Sequence, residues 1–381
     1  MLSNLERIYR AGPLKLPGWF WLLLAVVPLV LVDWFFLGIV LNYDSMAQGD
    51  VFDYWQDSLN WREPYNSYHM PGYAFTIALV RGAIGGLLSP TTTMLAITLG
   101  AFSLAVVAIH QLAGYGLVRK ADAAGFLAVG LFVLWPMVGI SYVAYPIADM
   151  FGMAPLLIAI WLFLKKRSMS GGLVLGLTLI SHKAMWPFAG LIMVAHLANM
   201  RTKRSVAGAF LMMVPITAIW ILGASHHDET FWLVSSNLDY EFKSTSALPV
   251  LDGLVGSMLY GGVSGLVKGL MVAGIGLLAL VVIVRAWKSP AEDDRRLYSL
   301  AIGIGILALV VLLNEREAWA TVRFGRLLAV PLVWYFGTLA LESGARARSI
   351  RIGASGILLG LLASQFAFSY YMARVWAFTP L

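Results

Sequence analysis

No cysteine occurs among the 381 residues, so disulfides, thiolate catalysis and cysteine metal sites are excluded, although the redox compartment stays open. Charge is also scarce. Asp, Glu, Lys and Arg make up 12% of the chain, against about 25% in an ordinary soluble domain. Neither a phosphate-binding loop, a dinucleotide fingerprint, a kinase signature nor a zinc-protease motif is present, which leaves soluble nucleotide chemistry without support. Internal repeats, low-complexity tracts and inverted pairs of broken helices of the transporter kind are likewise missing.

What the chain has is apolar sequence: 60% hydrophobic residues and a mean hydropathy of +0.78. Stretches of about 17 to 25 apolar residues are long enough to cross a bilayer. They recur near 18–41, 93–118, 124–141, 150–164, 170–181, 184–199, 206–223, 266–285, 297–313, 327–343 and 352–372. The expected fold is therefore all-α, a polytopic transmembrane helical bundle of about eleven spans forming a single domain over 1–381. The N-terminal MLSNLERIYRAGPLKLPGWF has no small-residue cleavage site and reads as a retained cytoplasmic end.

The segment 71–90 is ambiguous, because it is apolar but carries Arg81, Gly82, Gly85 and Gly86. Charge bias decides. Cytoplasmic loops collect Lys and Arg, and if 71–90 does not cross, the clusters at 7–15, 119–120, 165–167, 201–204, 285–296 and 346–351 all fall on the cytoplasmic side. They hold 18 of the 27 basic residues. The net charge of +7 then reflects topology rather than nucleic-acid binding. On this assignment 42–90 is an external loop with juxtamembrane helices and 225–265 a second external loop. The short spans flanking SHKAMWP form a hairpin dipping into the outer half of the membrane.

Four external segments hold 13 of the 20 acidic residues: 42–70, YVAYPIADM, the loop 225–262, and NEREAWATVRFGR. Within 42–70, Asp44, Asp50, Asp53, Asp57 and Glu63 are interleaved with Tyr43, Phe52, Tyr54, Trp55, Trp61, Tyr65 and Tyr68. Two readings stand for such a loop. Aromatics are ordinary at a membrane surface, and among carboxylates they also suit a sugar, whose ring faces stack while its hydroxyls bond.

The order of residues is more specific. Asp50 is followed four residues later by Tyr54, then by EPYNSY and HMPGY. This resembles the first external loop of the GT-C superfamily of polytopic glycosyltransferases, which includes polyprenyl-phosphate-mannose-dependent mannosyltransferases, GPI mannosyltransferases and aminoarabinose transferases. WREPY lacks the glycine usual in that family, and Met-Pro-Gly-Tyr stands where Pro-Pro is common. The resemblance covers roughly the first 200 residues and 315–335.

The resemblance implies an inverting transfer of a sugar, mannose as first guess, from a polyprenyl-phosphate donor to a hydroxyl on a lipid, glycan or protein acceptor. It implies that Asp50 is the catalytic base, with Asp53 next in line and Asp44 third. Such a base needs only hydrogen-bond reach of the proton it takes. Tyr54, Trp55, His69 and Asp149 are the expected sugar or acceptor contacts, Asp149 having helix capping as its stronger alternative.

In SHKAMWPF, His182 and Lys183 interrupt apolar sequence, and ionisable groups at membrane depth are costly and usually functional. They are expected to bind the donor phosphate, with snorkelling toward headgroups as the alternative for Lys183. Arg323 and Arg326 in EREAWATVRFGRLLAVP are three apart and share a helix face. Because Arg suits bidentate phosphate contact, one of them is assigned to the leaving phosphate. The neighbouring Glu315, Arg316 and Glu317 suit simple salt-bridging.

No cofactor is required. A divalent metal at His226, His227 and Asp228 is possible on chemistry alone but is not predicted. His110 and His196 are expected to be hydrogen-bonded structural residues, and Asp33 to pair within the bundle. The expected location is the cytoplasmic (inner) membrane, with an external or periplasmic active site in contact with membrane lipids. A lipid or small-molecule transporter or flippase, and an oligosaccharide polymerase or ligase, are the competing readings. If Asp50 is the base, Asp50→Asn abolishes sugar transfer in a folded chain that still binds donor lipid; full transfer by that variant rejects the assignment.

Overall fold

The computed structural model describes residues 50–61, 70–85, 87–88, 90–117, 121–135, 148–200, 202–224, 262–312 and 318–337. The expected spans at 18–41 and 352–372, Asp33, Asp44, His69, the loop 225–261 and the cluster Glu315, Arg316 and Glu317 lie outside those residues. Among the described residues every regular element is helical and no strand occurs.

In chain order the elements are α1 (Asp50–Leu59), α2 (Pro71–Ala83), α3 (Pro90–Ala113), α4 (Ala121–Val133), α5 (Asp149–Leu164) and α6 (Ser168–Ser181). A 3-10 turn, Lys183–Met185, leads to α7 (Trp186–Met200), followed by α8 (Lys203–Ala224), α9 (Gly262–Trp287), α10 (Arg295–Leu312) and α11 (Ala318–Phe324). Among the described residues, three helices are long and apolar enough to cross a membrane: Thr92–Ala113, Lys203–Leu222 and Gly269–Trp287.

α8 shows what surrounds the bundle. Only 22% of its apolar window is buried, and Phe210 is 74% exposed. A contiguous apolar face of that size is a surface for something other than water. Its opposite side meets α6 through glycines spaced by four. A Cβ on Gly172 would collide with the carbonyl of Gly208, and one on Gly176 with the carbonyl of Met212 and the ring of Pro215. Small residues at such spacing let two backbones approach closely enough for van der Waals contact to hold them, the usual device where the solvent is as apolar as the side chains.

Contacts between helix ends sort the bundle into two poles. At one pole the Tyr115 hydroxyl donates to the carbonyl of Leu164 (3.1 Å), Asn199 Nδ2 to the carbonyl of Asp294 (3.2 Å), and Trp334 Nε1 to the carbonyl of Leu112 (2.8 Å). His196 Nδ1 lies 3.0 Å from the Tyr298 hydroxyl at the same pole, as expected of a structural histidine. The basic turns at 165–167, 203–204 and 288–296 all lie here, so segments that charge bias assigns to one side share one end. At the opposite pole Trp135 Nε1 donates to the carbonyl of Val322 (2.8 Å), and Tyr73 stands 5.5 Å from Phe151.

α2 spans 13 residues, about 20 Å. Two expectations change in detail. The expected span from 327 is already helical at 318 and is broken. α11 passes into a 3-10 stretch (Gly325–Leu328), then α12 (Ala329–Leu332) and a π turn (Val333–Gly337). Pro331 is the cause, since it has no N–H to donate and its ring crowds the carbonyl four residues back.

The second concerns His110, expected to be hydrogen-bonded, which is 4% exposed with neither ring nitrogen hydrogen-bonded among the described residues. Its ring fits only because Gly125 has no side chain: a Cβ there would sit 2.5 Å from His110 Cδ2.

Gly172→Ala should lower stability by about 1–3 kcal/mol, the usual penalty for overpacking, seen as a lower melting temperature in detergent. Gly274→Ala, whose added Cβ meets nothing within 4 Å, is the control and should leave it unchanged.

Candidate functional site

Asp149 is the first residue of α5, and its side chain is 1% exposed. A carboxylate at a helix N-terminus is favoured by the backbone dipoles. The N-cap position, however, belongs to Ala148 and has no side-chain cap bond. Asp149 therefore does not cap its helix. Its Oδ2 takes Arg323 NH1 at 2.9 Å and its Oδ1 faces His182 Nε2 at 3.1 Å. A charge with 1% exposure is retained only when paired and hydrogen-bonded, and these two partners supply both.

His182 is delivered by a deliberate break. Pro187, the second residue of α7, cannot donate to the carbonyl of Lys183 and crowds it, so α7 cannot extend back through 183. The backbone at His182 is extended, with φ −155° and ψ 128°. The Ala184 amide donates to His182 Nδ1 (3.1 Å), so the ring caps the 3-10 turn that carries Lys183. With Nδ1 accepting, the ring proton sits on Nε2, the nitrogen that stands 3.1 Å from Asp149 Oδ1, a tautomer assigned from its partners. The turn is pinned from its far side by Trp186 Nε1 donating to the carbonyl of Leu179 (2.8 Å).

Arg323 comes from the last turn of α11, and the edge of Phe324 packs on the His182 ring at 5.3 Å and 69°. Arg326 is fully buried. Its Nε donates to the carbonyl of Arg323, and its guanidinium lies 5.6 Å from the centre of the Phe132 ring. Gly152 makes the approach possible, since a Cβ there would stand 3.1 Å from Met185 and 3.2 Å from His182 Cβ.

The first-loop residues reach the same pole. Tyr54 packs edge-on against Tyr73 (5.0 Å, 83°), and Tyr73 contacts Phe151, two residues from Asp149, while its hydroxyl lies 3.0 Å from Thr98 Oγ1. A Cβ on Gly72 would collide with the carbonyl of Ile180, which brings the start of α2 against the end of α6 beside the His182 break. Asp50 opens α1 one turn before Tyr54.

The structure thus brings together Asp149, His182 and Arg323 directly, with Lys183 and Arg326 one bond network away. Tyr54 is buried in the seam between α1 and α2, Trp55 is half-buried under the Arg81 guanidinium (5.2 Å), and Asp53 is half-buried on α1. His69 and the side chain of Asp50 lie outside the described residues. Among the described residues no three His, Asp or Glu side chains could share a metal ion. His226, His227 and Asp228 also lie outside them.

Four participants were given no role by the sequence reading: Gly152, Phe324, Tyr73 and the Ala184 amide. Tyr73 and Phe324 stand inside the HMPGY and EREAWATVRFGRLLAVP stretches, and Gly152 left a signal by standing three residues after Asp149 and therefore on the same helix face. No protein-family model matches the chain, and no curated protein matches it.

Removing one partner of a buried ion pair strands the other charge and costs about 3–5 kcal/mol. Arg323→Gln and Asp149→Asn should therefore each destabilise strongly, whereas the double variant should lose clearly less than the sum, a coupling measurable by thermal denaturation of all four proteins. Strict additivity would show that the pair does not interact.

Proposed function

We propose that the chain is a polytopic membrane glycosyltransferase of the GT-C kind. It moves a sugar, mannose in the first instance, from a polyprenyl-phosphate donor to a hydroxyl acceptor at the external face of the cytoplasmic membrane. One observation carries this reading. Asp149, His182 and Arg323, far apart in sequence and each singled out as a site residue, converge within hydrogen-bond distance at the pole opposite the basic turns. The α1–α2 segment that bears the family-like motif packs onto that same pole.

In this reading about eleven spans surround the site, the N-terminus and the basic turns are cytoplasmic, and α1 and α2 lie at the external surface. Asp50 takes the proton from the acceptor hydroxyl as its oxygen attacks the anomeric carbon. The bond from that carbon to the phosphate oxygen breaks with inversion, and polyprenyl phosphate leaves with the electron pair. Lys183 and Arg323 stand nearest the surface among the site cations and meet the charge that grows on the leaving phosphate, a type of stabilisation that is usually the largest catalytic contribution. Arg326 lies behind them and shapes the backbone of the 3-10 stretch. Trp55 forms the wall of the acceptor side, with Asp53 on the same helix, while Tyr54 is turned into the α1–α2 seam and supports that wall from behind.

Incubating the purified protein in proteoliposomes with a radiolabelled polyprenyl-phosphate sugar and candidate acceptors tests the proposal. Release of polyprenyl phosphate with label in the acceptor is the expected result. Movement of intact donor across the bilayer without cleavage would replace the enzyme with a transporter, and a product mass equal to a whole preassembled glycan would make it a ligase or polymerase.

A further inference from the structure

We propose that Asp149 is a positioning residue, which fixes the turn carrying Lys183 by holding the His182 ring against the Ala184 amide. The relay has two contacts and one covalent link. Asp149 Oδ1 faces His182 Nε2 at 3.1 Å; His182 Nδ1 accepts the Ala184 amide at 3.1 Å; and that amide belongs to the 3-10 turn Lys183–Met185, whose first residue is Lys183. A neutral imidazole has one donor and one acceptor nitrogen. Both are committed here, so His182 connects Asp149 to the turn and is not itself a ligand for an anion.

Geometry on the other side closes the arrangement. Asp149 Oδ2 holds Arg323 NH1 at 2.9 Å, and the ring of Phe324 backs the imidazole, so a rotation of His182 would disturb α11 as well as the turn. One buried carboxylate thus sets the relative placement of two cations from segments about 140 residues apart in sequence. Lys183 is half-buried, and its ammonium is a mobile point charge on a flexible stem. The backbone that carries it is the part that can be pre-organised.

The positioning role rests on the contacts alone; only its use, the capture of a lipid-linked phosphate, rests on the function proposed above. The test separates the two. Backbone hydrogen exchange of peptides covering 182–186 is measured on the full-length protein in detergent for wild type and Asp149→Asn, with peptides covering 195–200 as an internal reference. Exchange at the Ala184 amide should rise about tenfold in the variant, the loss of roughly one hydrogen bond, while the reference stays as in wild type. Unchanged exchange at Ala184 in a folded Asp149→Asn protein overturns the inference.

If that variant does not fold, His182→Ala, which leaves the Asp149–Arg323 pair in place, must raise exchange at Ala184 in the same way; protection equal to wild type overturns the inference there too. Farnesyl phosphate binding is then measured, with farnesol as the uncharged control. Asp149→Asn and Lys183→Gln should each weaken farnesyl phosphate by about tenfold, as expected for a lost charge-assisted contact, and leave farnesol unaffected. Failure of the wild type to bind farnesyl phosphate would overturn the donor-site reading, with the exchange result still deciding the positioning role.

Discussion

The ion pair of Asp149 is the constraint on which the described architecture depends. A carboxylate removed from water is costly unless its oxygens are engaged, and here the partners come from two segments with no helix in common. α5 supplies the carboxylate, the break after α6 supplies His182, and α11 supplies Arg323. None of the three segments could adopt its observed course alone. The interruption at His182 would otherwise leave unsatisfied backbone groups at depth, and the guanidinium of Arg323 would otherwise stay near bulk solvent. Together they join three local irregularities through one buried carboxylate, and the apolar helices around it pack on that junction.

Packing at the two poles shares one device and differs in another. Toward the basic turns, tyrosine and tryptophan groups donate to carbonyls at helix ends, closing off backbone acceptors that a helix terminus cannot satisfy itself. Toward the site, Trp135 and Trp186 donate to carbonyls in the same way, and ionisable side chains add to the joining. Between the poles the helices are held by shape: the α6–α8 contact is made of glycine against backbone, and α7 meets α10 where Gly305 accommodates the Phe188 ring. In a bundle so arranged, close backbone packing joins the helix flanks and the polar joining falls toward the ends.

The helices were largely legible in the sequence because hydropathy reports length and environment together. The spans expected at 150–164, 170–181, 184–199 and 206–223 correspond to α5, α6, α7 and α8 within a few residues. Where prediction departed, a local backbone rule outweighed hydropathy, as with Pro331, which fragments a stretch whose composition is that of a single span. The site was legible in its residue types, because Asp, His, Lys and Arg are rare in apolar sequence and each interruption stands out. Their mutual roles were not. Asp149 reads more readily as a helix cap than as a ligand until the positions of 182 and 323 are known, and a histidine's tautomer depends on an amide two residues away that no pattern of side chains reports. Tyr54, a candidate sugar contact by composition, turns inward because Tyr73 offers it an aromatic edge.

The shortness of α5, α6 and α7 has a mechanical consequence. At 16, 14 and 15 residues they measure about 21–24 Å, while α3, α8 and α9 are each over 30 Å by the same rise. A bilayer that matches the long helices is too thick for the short ones, and lipids respond to such mismatch by thinning locally or bending their headgroups inward. Any such thinning would fall around α5, α6 and α7. An amphiphile whose headgroup already lies at that depth would meet the protein there without being lifted out of the leaflet, and the thickness of the host bilayer becomes a variable that tunes access.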